Sequence, residues 1–182
     1  MLDEPRPKRW SREEYARLFD EGFFAGQRVE LIDGEILLMS PQGPDHASTI
    51  ELVAEAVRAK FGDAYWVRIQ MPLALSKFNE PEPDIAVVKG TPRTVRQHPE
   101  SALLVVEVSG STRNFDRGVK AREYALAGIQ DYWVVDLAAT QIIVHREPAE
   151  GQYRAITEHR RGDAITLLAC PESAIQVADL LL

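Results

Sequence analysis

Three nearly unbroken apolar runs constrain the fold of this chain more than any other feature. They occupy residues 85–88 (IAVV), 103–106 (LLVV) and 132–135 (YWVV). Strands that do not alternate between apolar and polar residues are usually central and covered on both faces. A helix predicted between the second and third runs makes that part a βαβ unit with a right-handed crossover. We therefore predict an α/β fold with strands at residues 65–75, 84–88, 102–109, 131–136, 141–146 and 153–157.

The chain before these strands is predicted to contain a helix and a β-hairpin. Ser11 and Glu14 form a capping box, which places a helix between about residues 12 and 22. Asp33-Gly34 separates two short apolar runs, and this dipeptide favours a type I′ hairpin turn.

Two longer helices are predicted to flank the sheet. One spans residues 45–61 with Asp45 as its N-cap, and its apolar spacing turns His46 inward at the first turn. The other spans residues 114–127 and is closed by Gly128.

The chain length of 182 residues suits one domain, and we expect an extended arm at 1–10 and a single domain at 11–182. The net charge of −7 argues mildly against a dedicated nucleic-acid binder. The single cysteine favours a location in the reducing cytoplasm. The apolar runs are too short to span a membrane, so we expect no membrane partner. The apolar tail at 174–182 is expected to pack on the domain or on a second copy.

Two acidic residues lie among the apolar strands. Asp84 precedes the run at 85–88, and Glu107 follows the run at 103–106. An ionised carboxylate there is unfavourable unless it is paired or binds a metal ion. Two such carboxylates on neighbouring strands can converge on Mg²⁺ or Mn²⁺, which prefer oxygen ligands. For either acid alone, a structural ion pair is the alternative interpretation.

The helix after Glu107 offers a cation to the same site. Asp116, Lys120 and Tyr124 follow one another at four-residue spacing, which places them on one helix face. The long stem of Lys120 lets its ammonium group reach back toward the carboxylates. Alternatively, Asp116 pairs with Lys120 or Arg117 on the helix surface, and Tyr124 belongs to the core.

Three segments resemble signatures of the Uma-type restriction endonucleases, a bacterial family within the PD-(D/E)XK nuclease superfamily. They are RVELIDGEILLMSPQGPDH at 28–46, PEPDIAVV at 81–88 and LLVVEVSGSTRNFDRGVKAREYALAGIQDYWVVD at 103–136. The resemblance covers residues 11–147. It implies a restriction-endonuclease-like core, in which helices flank a mixed central β-sheet and a helix and β-hairpin precede it.

The resemblance also implies a metal-dependent endonuclease that hydrolyses phosphodiester bonds of DNA. Asp84, Glu107 and the backbone carbonyl of Val108 would hold Mg²⁺ (or Mn²⁺), and Lys120 would be the catalytic cation. The superfamily pattern has a lysine two residues after the second acid. Here that residue is Ser109, so the lysine has moved into the following helix.

Four further residues have both a functional and a structural interpretation. Glu30 would be an additional catalytic acid, or a solvated hairpin residue. His46 would order the site or contact phosphate, or would be a satisfied core histidine. Arg113 and Arg117 would contact the phosphate backbone, or would lie on a solvated helix face.

Two other functions stay open from the sequence. One is a catalytically inactive nuclease-fold module that binds nucleic acid or a protein partner, which the acidic charge and Ser109 favour. The other is hydrolysis of RNA or of a small phosphodiester. We also expect a homodimer, because two DNA strands require two sites and two-fold dimers are the commonest oligomers.

Overall fold

A computed structural model describes residues 4–110 and 112–182 of the chain. In chain order its elements are α1 (Arg12–Asp20), β1 (Val29–Ile32), β2 (Glu35–Leu38), α2 (Pro44–Phe61), β3 (Tyr65–Ile69), β4 (Ile85–Lys89), β5 (Leu104–Ser109), α3 (Arg113–Phe115), a π-helical turn (Asp116–Lys120), α4 (Ala121–Leu126), β6 (Asp131–Asp136), β7 (Gln141–Ala149), β8 (Gln152–His159), β9 (Ala164–Leu167), β10 (Cys170–Gln176) and a 3-10 turn (Val177–Leu180).

A six-stranded mixed sheet forms the centre of the fold, in the order β3-β4-β5-β6-β7-β8. Strands β5 and β6 are parallel, and the other neighbouring pairs are antiparallel. The three apolar runs occupy β4, β5 and β6, which are interior strands, as their lack of alternation predicts. The predicted α/β class with a mixed sheet flanked by helices is confirmed.

Each face of the sheet carries its own hydrophobic core. On one face, Val53 and Val57 of α2 pack with Val106 and Trp133. On the other face, Tyr124 of α4 packs in a cluster that also contains Val105, Val134 and Tyr132. Covering both faces explains why these strands are apolar throughout.

The N-terminal helix and hairpin form as predicted, with one correction at the next helix. Ser11 and Glu14 make both hydrogen bonds of the capping box. Asp33 and Gly34 have φ values of 49° and 80°, as the hairpin turn requires. The N-cap of α2 is Gly43 rather than Asp45, because Pro44 occupies the first helical position.

Strand β3 is shorter than predicted. It ends at Ile69 instead of continuing to residue 75. Gln70 has a φ of 50°, which breaks the extended backbone, and Pro72 follows without an N–H to donate. Strands β7 and β8 are longer than predicted, and they pair from Ile142↔His159 to Ala149↔Gln152.

The helix predicted at 114–127 is interrupted. A π-helical turn at Asp116–Lys120 separates α3 from α4. Gly128 has a φ of 74° and follows the helix as predicted. π-Helical turns are rare and are frequent at functional sites.

The two ends of the described chain differ in structure. Residues 1–3 of the predicted arm and Ser111 of the third signature lie outside the described residues, and residues 4–10 contain neither helix nor strand. The C-terminal tail packs on its own domain, since Ile175, Val177 and Leu180 join the core beneath α2. Among the described residues, no helix is both long and apolar enough to cross a membrane.

Candidate active site

A cleft of about 290 Å³ opens where the end of β5 meets the start of β4. The β1–β2 hairpin, the first turn of α2 and the π-helical turn complete its walls. Six residues predicted for the site line this cleft. They are Glu30, His46, Asp84, Glu107, Val108 and Lys120.

Antiparallel pairing of β4 with β5 brings the two strand acids together. Ile85 pairs with Val106, so Asp84 and Glu107 lie opposite each other one step further along. The Val108 N–H donates to Asp84 Oδ2 at 2.8 Å, and the Asp84 N–H donates to Glu107 Oε2 at 3.4 Å. Gln70 Nε2 donates to Asp84 Oδ1 at 3.1 Å. The backbone of each strand therefore orients the carboxylate of the other.

Lys120 lies between two buried carboxylates. Its Nζ is 3.0 Å from Glu107 Oε1 and 3.0 Å from Glu30 Oε2. The lysine is only 3% exposed, so burial lowers its pKa, but Glu107, Glu30 and Asp116 raise the pKa by more. The net direction is upward, and Lys120 is an ammonium ion at neutral pH.

The acidic side chains that line the cleft outnumber its lysine and its arginine. Burial raises the pKa of Glu107, and neighbouring Asp84, Asp116 and Glu30 raise it further, to about 8, although Lys120 lowers it. Glu30 Oε2 is buried and has no hydrogen-bond donor beyond its ion pair. The cleft therefore holds an excess of acidic groups, and a bound cation would favour their ionised forms.

Tyr124 makes a contact that the sequence did not reveal. Its hydroxyl donates to Glu107 Oε1 at 2.7 Å, beside the Lys120 contact. The side chain is fully buried in the core, as one prediction stated, and it also fixes the rotamer of Glu107. The four-residue spacing from Lys120 was the signal that could have suggested this role.

Asp116 is not the surface ion-pair residue of one prediction. It is buried and accepts hydrogen bonds from Ser109 Oγ at 2.8 Å and Thr112 Oγ1 at 2.6 Å. Ser109 therefore anchors the start of the π-helical turn. That turn brings both Asp116 and Lys120 inward, which explains how the helix supplies the lysine.

His46 lies in the cleft, as predicted, beside Asp84. Its Nε2 is 3.4 Å from Asp84 Oδ2. Burial lowers the pKa of His46, but Asp84 and the backbone of Val108 raise it by more, and the net direction is upward. Burial raises the pKa of Asp84, but His46, the Val108 N–H and Lys120 outweigh burial, so its pKa lies below the usual value.

The two predicted phosphate-binding arginines lie outside the cleft wall. Arg113 is exposed, and its Nη1 is 3.2 Å from the buried Asp136 Oδ2. Arg117 is exposed on the π-helical turn. Arg28 and Glu82 were not predicted for the site, but both line the cleft, and Arg28 Nε lies 3.4 Å from Glu82 Oε2. The position of Glu82, two residues before Asp84, was the available signal.

The donors of the cleft fit a small divalent cation. Asp84, Glu107 and the Val108 carbonyl would supply oxygen ligands, and Mg²⁺ commonly takes one or two carboxylates and keeps several waters. Within residues 4–110 and 112–182, no three Asp, Glu, His or Cys side chains are spaced to hold one ion together.

Comparisons with known proteins bear on the family and the fold of this chain. The model of the Uma2 family, described as "Putative restriction endonuclease", matches residues 12–178. The crystal structure of a putative nuclease from Anabaena variabilis ATCC 29413 is similar, with a TM-score of 0.71 and 15% sequence identity, and the match covers 93% of this chain and 96% of that chain. No curated protein matches the sequence. The family match extends over most of the chain, and the chain therefore belongs to the Uma2 family of putative restriction endonucleases.

Proposed function

We propose that this protein is a divalent-metal-dependent endonuclease that hydrolyses phosphodiester bonds of DNA. The observation that carries the proposal is the buried Lys120 ammonium, held by Glu107 and Glu30 beside Asp84 in an open cleft. A buried lysine among acids is costly to assemble, and such arrangements are concentrated at functional sites.

The proposal gives a separate role to each of the acids, the lysine and the tyrosine at the centre of the site. Asp84, Glu107 and the Val108 carbonyl would hold Mg²⁺ or Mn²⁺, which supplies charge stabilisation and a water of lowered pKa when bound. Lys120, which stays protonated, donates hydrogen bonds to the attacking water or to phosphate oxygens as negative charge develops. Glu30 positions Lys120, and Tyr124 positions Glu107.

His46 and the two helix arginines would act on the substrate. His46, beside Asp84, lies at the cleft wall where its ring N–H can donate to a phosphate oxygen. Arg113 and Arg117 are exposed next to the cleft and would contact the phosphate backbone away from the scissile bond. Phosphate contacts of this kind position a nucleic acid and carry no sequence information.

The direct test is cleavage of supercoiled plasmid, linear duplex and single-stranded DNA with Mg²⁺ or Mn²⁺. We expect cleavage by the wild-type protein and a loss of at least about a hundredfold in Lys120→Ala, the scale of removing one charge-stabilising donor. Lys89→Ala is the matched control, because Lys89 is exposed at the end of β4 and outside the cleft.

Two outcomes would overturn the proposal. One is the absence of cleavage with either ion on every DNA substrate, and the other is equal cleavage by Lys120→Ala and wild type. DNA binding without turnover would favour the catalytically inactive module. Cleavage of RNA and not of DNA would change the proposed substrate to RNA and leave the proposed hydrolysis of phosphodiester bonds in place.

A further inference from the structure

A second cleft, of about 680 Å³, lies beside β3 at the edge of the sheet. We call it the Arg68 cleft. Its wall carries three arginines and one glutamate, so its charge is positive although the whole chain is acidic. The residues that give it this character are Arg12, Trp66, Arg68, Arg96, His98 and Glu100.

Arg68 is the unusual member of this group. It is only 3% exposed, and its Nε is buried without a hydrogen-bond partner. Its Nη2 donates to the Pro72 carbonyl at 3.0 Å, and its guanidinium carbon is 4.8 Å from the centre of the Trp66 ring. Among the described residues, no carboxylate lies within ion-pair distance of it.

A buried cation without a counter-ion is unfavourable, and burial lowers the pKa of Arg68 accordingly. Elsewhere in the protein, a buried or half-buried arginine has an acidic partner. Arg146 pairs with Asp131 at 2.8 Å, and Arg12 pairs with Glu80 at 2.8 Å. Because Arg68 lacks an acidic partner, a bound anion would stabilise its charge.

The wall opposite Arg68 supplies further donors. Arg96 and His98 are exposed on the segment between β4 and β5, and they line the same cleft. Because the charge of Arg12 is matched by Glu80, the uncompensated charges of the cleft are those of Arg68 and Arg96, set against Glu100. A planar guanidinium offers a fork of N–H donors that matches phosphate oxygens.

We propose that the Arg68 cleft is a phosphate-binding site in which the unpaired Arg68 guanidinium is the anchor and Arg96 closes over the bound group. The phosphate belongs either to free inorganic phosphate or to a phosphodiester of a nucleic acid. The two sources offer Arg68 the same oxygen acceptors. This site does not depend on hydrolysis, and its test needs no metal ion.

The position of the cleft relates it to the candidate active site. Gln70 follows Arg68 by two residues and donates to Asp84. Pro72, whose carbonyl accepts from Arg68, lines the Arg68 cleft within the same short segment. A strand of nucleic acid with one phosphate at Arg68 would thus be held near Asp84.

The experiment measures binding of inorganic phosphate, and separately of a short single-stranded DNA, to the full chain in EDTA by calorimetry. EDTA removes divalent ions, so failure of the nuclease proposal does not affect the result. We expect Arg68→Gln to weaken binding about tenfold or more, which corresponds to losing one charge-assisted contact. Tryptophan emission should change on binding in wild type and not in Trp66→Phe, because Trp66 stacks on Arg68.

A second variant guards against misfolding of Arg68→Gln. Arg96→Ala changes an exposed side chain and should weaken binding several-fold, whereas Arg93→Ala, on the same segment but outside the cleft, should bind as wild type does. DNA binding without phosphate binding assigns the site to a nucleic-acid backbone. The proposal is overturned if wild type binds neither probe, or if Arg96→Ala and Arg93→Ala bind equally.

Discussion

At the scale of single residues, Glu107 is the acid in the candidate active site that contacts both the buried lysine and the buried tyrosine. It contacts Lys120 and Tyr124 through one oxygen, and burial, together with Asp84 and Asp116, raises its pKa. We expect Mg²⁺ or Mn²⁺ to raise the melting temperature of wild type, because a ligand that binds only the folded state stabilises it. Glu107→Gln keeps the shape, removes the charge and should abolish this rise.

The matched control for this prediction is Glu35→Gln, which removes an exposed acid from the hairpin. Its melting temperature should respond to the ions as wild type does. Because some sites take their metal only together with a phosphate, the measurement is repeated with DNA present. An equal response of Glu107→Gln and wild type in both conditions would contradict the predicted metal site.

His145 provides a separate residue-scale prediction about stability and pH. It packs between Tyr132 and Tyr153, with ring centres 5.2 and 5.6 Å away. Burial lowers its pKa to about 4, whereas the unfolded value is about 6.5. The unfolded chain therefore binds the extra proton first, so the free energy of unfolding should fall as pH drops from 6.5 toward 4, by about 3 kcal/mol at most.

Urea unfolding at pH 7 and pH 4.5 measures this effect. His145→Gln should be less stable than wild type at pH 7 because it loses ring packing, and its stability should fall less on acidification. His98→Gln, an exposed histidine, should follow the wild-type curve. Parallel curves for wild type and His145→Gln would show that His145 does not cause the pH dependence.

The sequence predicted Asp84, Glu107 and Lys120 as site residues from their placement and from the family resemblance. Asp84 and Glu107 are acids beside apolar strand residues, and Lys120 lies at helical spacing from Asp116. The structure brings the three side chains into one cleft, and their roles stay predictions. The contact of Tyr124 with Glu107 was not predicted, although its spacing from Lys120 was a signal, because a tyrosine in a helix is usually a core residue and its acceptor lies on β5.

At the scale of elements, the β1–β2 hairpin matters because it carries Glu30 to Lys120. Gly34 has a φ of 80°, and an added Cβ would lie 2.8 Å from Arg9 Cβ. Gly34→Ala should therefore lower the free energy of unfolding by about 1–3 kcal/mol from backbone strain, with a further cost for the contact. Urea unfolding measures the change.

Gly22→Ala separates the two causes of that loss. Gly22 also has a positive φ, of 77°, but a Cβ there would meet nothing within 4 Å. It should show the strain without the contact, so its destabilisation should be the smaller. If Gly22→Ala and Gly34→Ala lower the free energy of unfolding equally, the contact with Arg9 does not contribute to the loss.

Local chemistry predicted the elements well where a side chain or a turn dipeptide fixes the backbone, as at the capping box of Ser11 and the Asp33-Gly34 turn. It failed where the backbone departs from regular geometry without such a marker. The π-helical turn at Asp116–Lys120 has the apolar and polar spacing of an ordinary helix, and its extra width depends on burying Asp116 against Ser109. The early end of β3 depends on the positive φ of Gln70.

At the scale of the whole molecule, the predicted homodimer has less free apolar surface than the sequence suggested. The apolar strands and the tail side chains Ile175, Val177, Leu180 and Leu181 are buried within their own domain. The dimer stays a prediction, and light scattering of the purified chain measures it. The apolar side chains of Phe23, which follows α1, and of Leu38, at the end of β2, are 70% and 68% exposed.

The acidic whole-molecule charge makes DNA binding depend on local basic groups. With a net charge of −7, the long-range field repels a phosphate backbone, so contacts must come from exposed arginines such as Arg117. Each phosphate contact releases counter-ions, and losing one lowers the slope of log affinity against log salt by about 0.9. Arg117→Ala should therefore weaken duplex binding and reduce that slope by about one.

Binding measured in EDTA across a range of salt concentrations gives this slope without cleavage. Arg154→Ala is the matched control, because Arg154 is exposed on β8, at the sheet edge opposite to β3. Both variants change the net charge equally, so a difference between their slopes reports a local contact rather than the overall field. Equal slopes would show that the π-helical turn does not face DNA, and binding would then have to be sought at the Arg68 cleft.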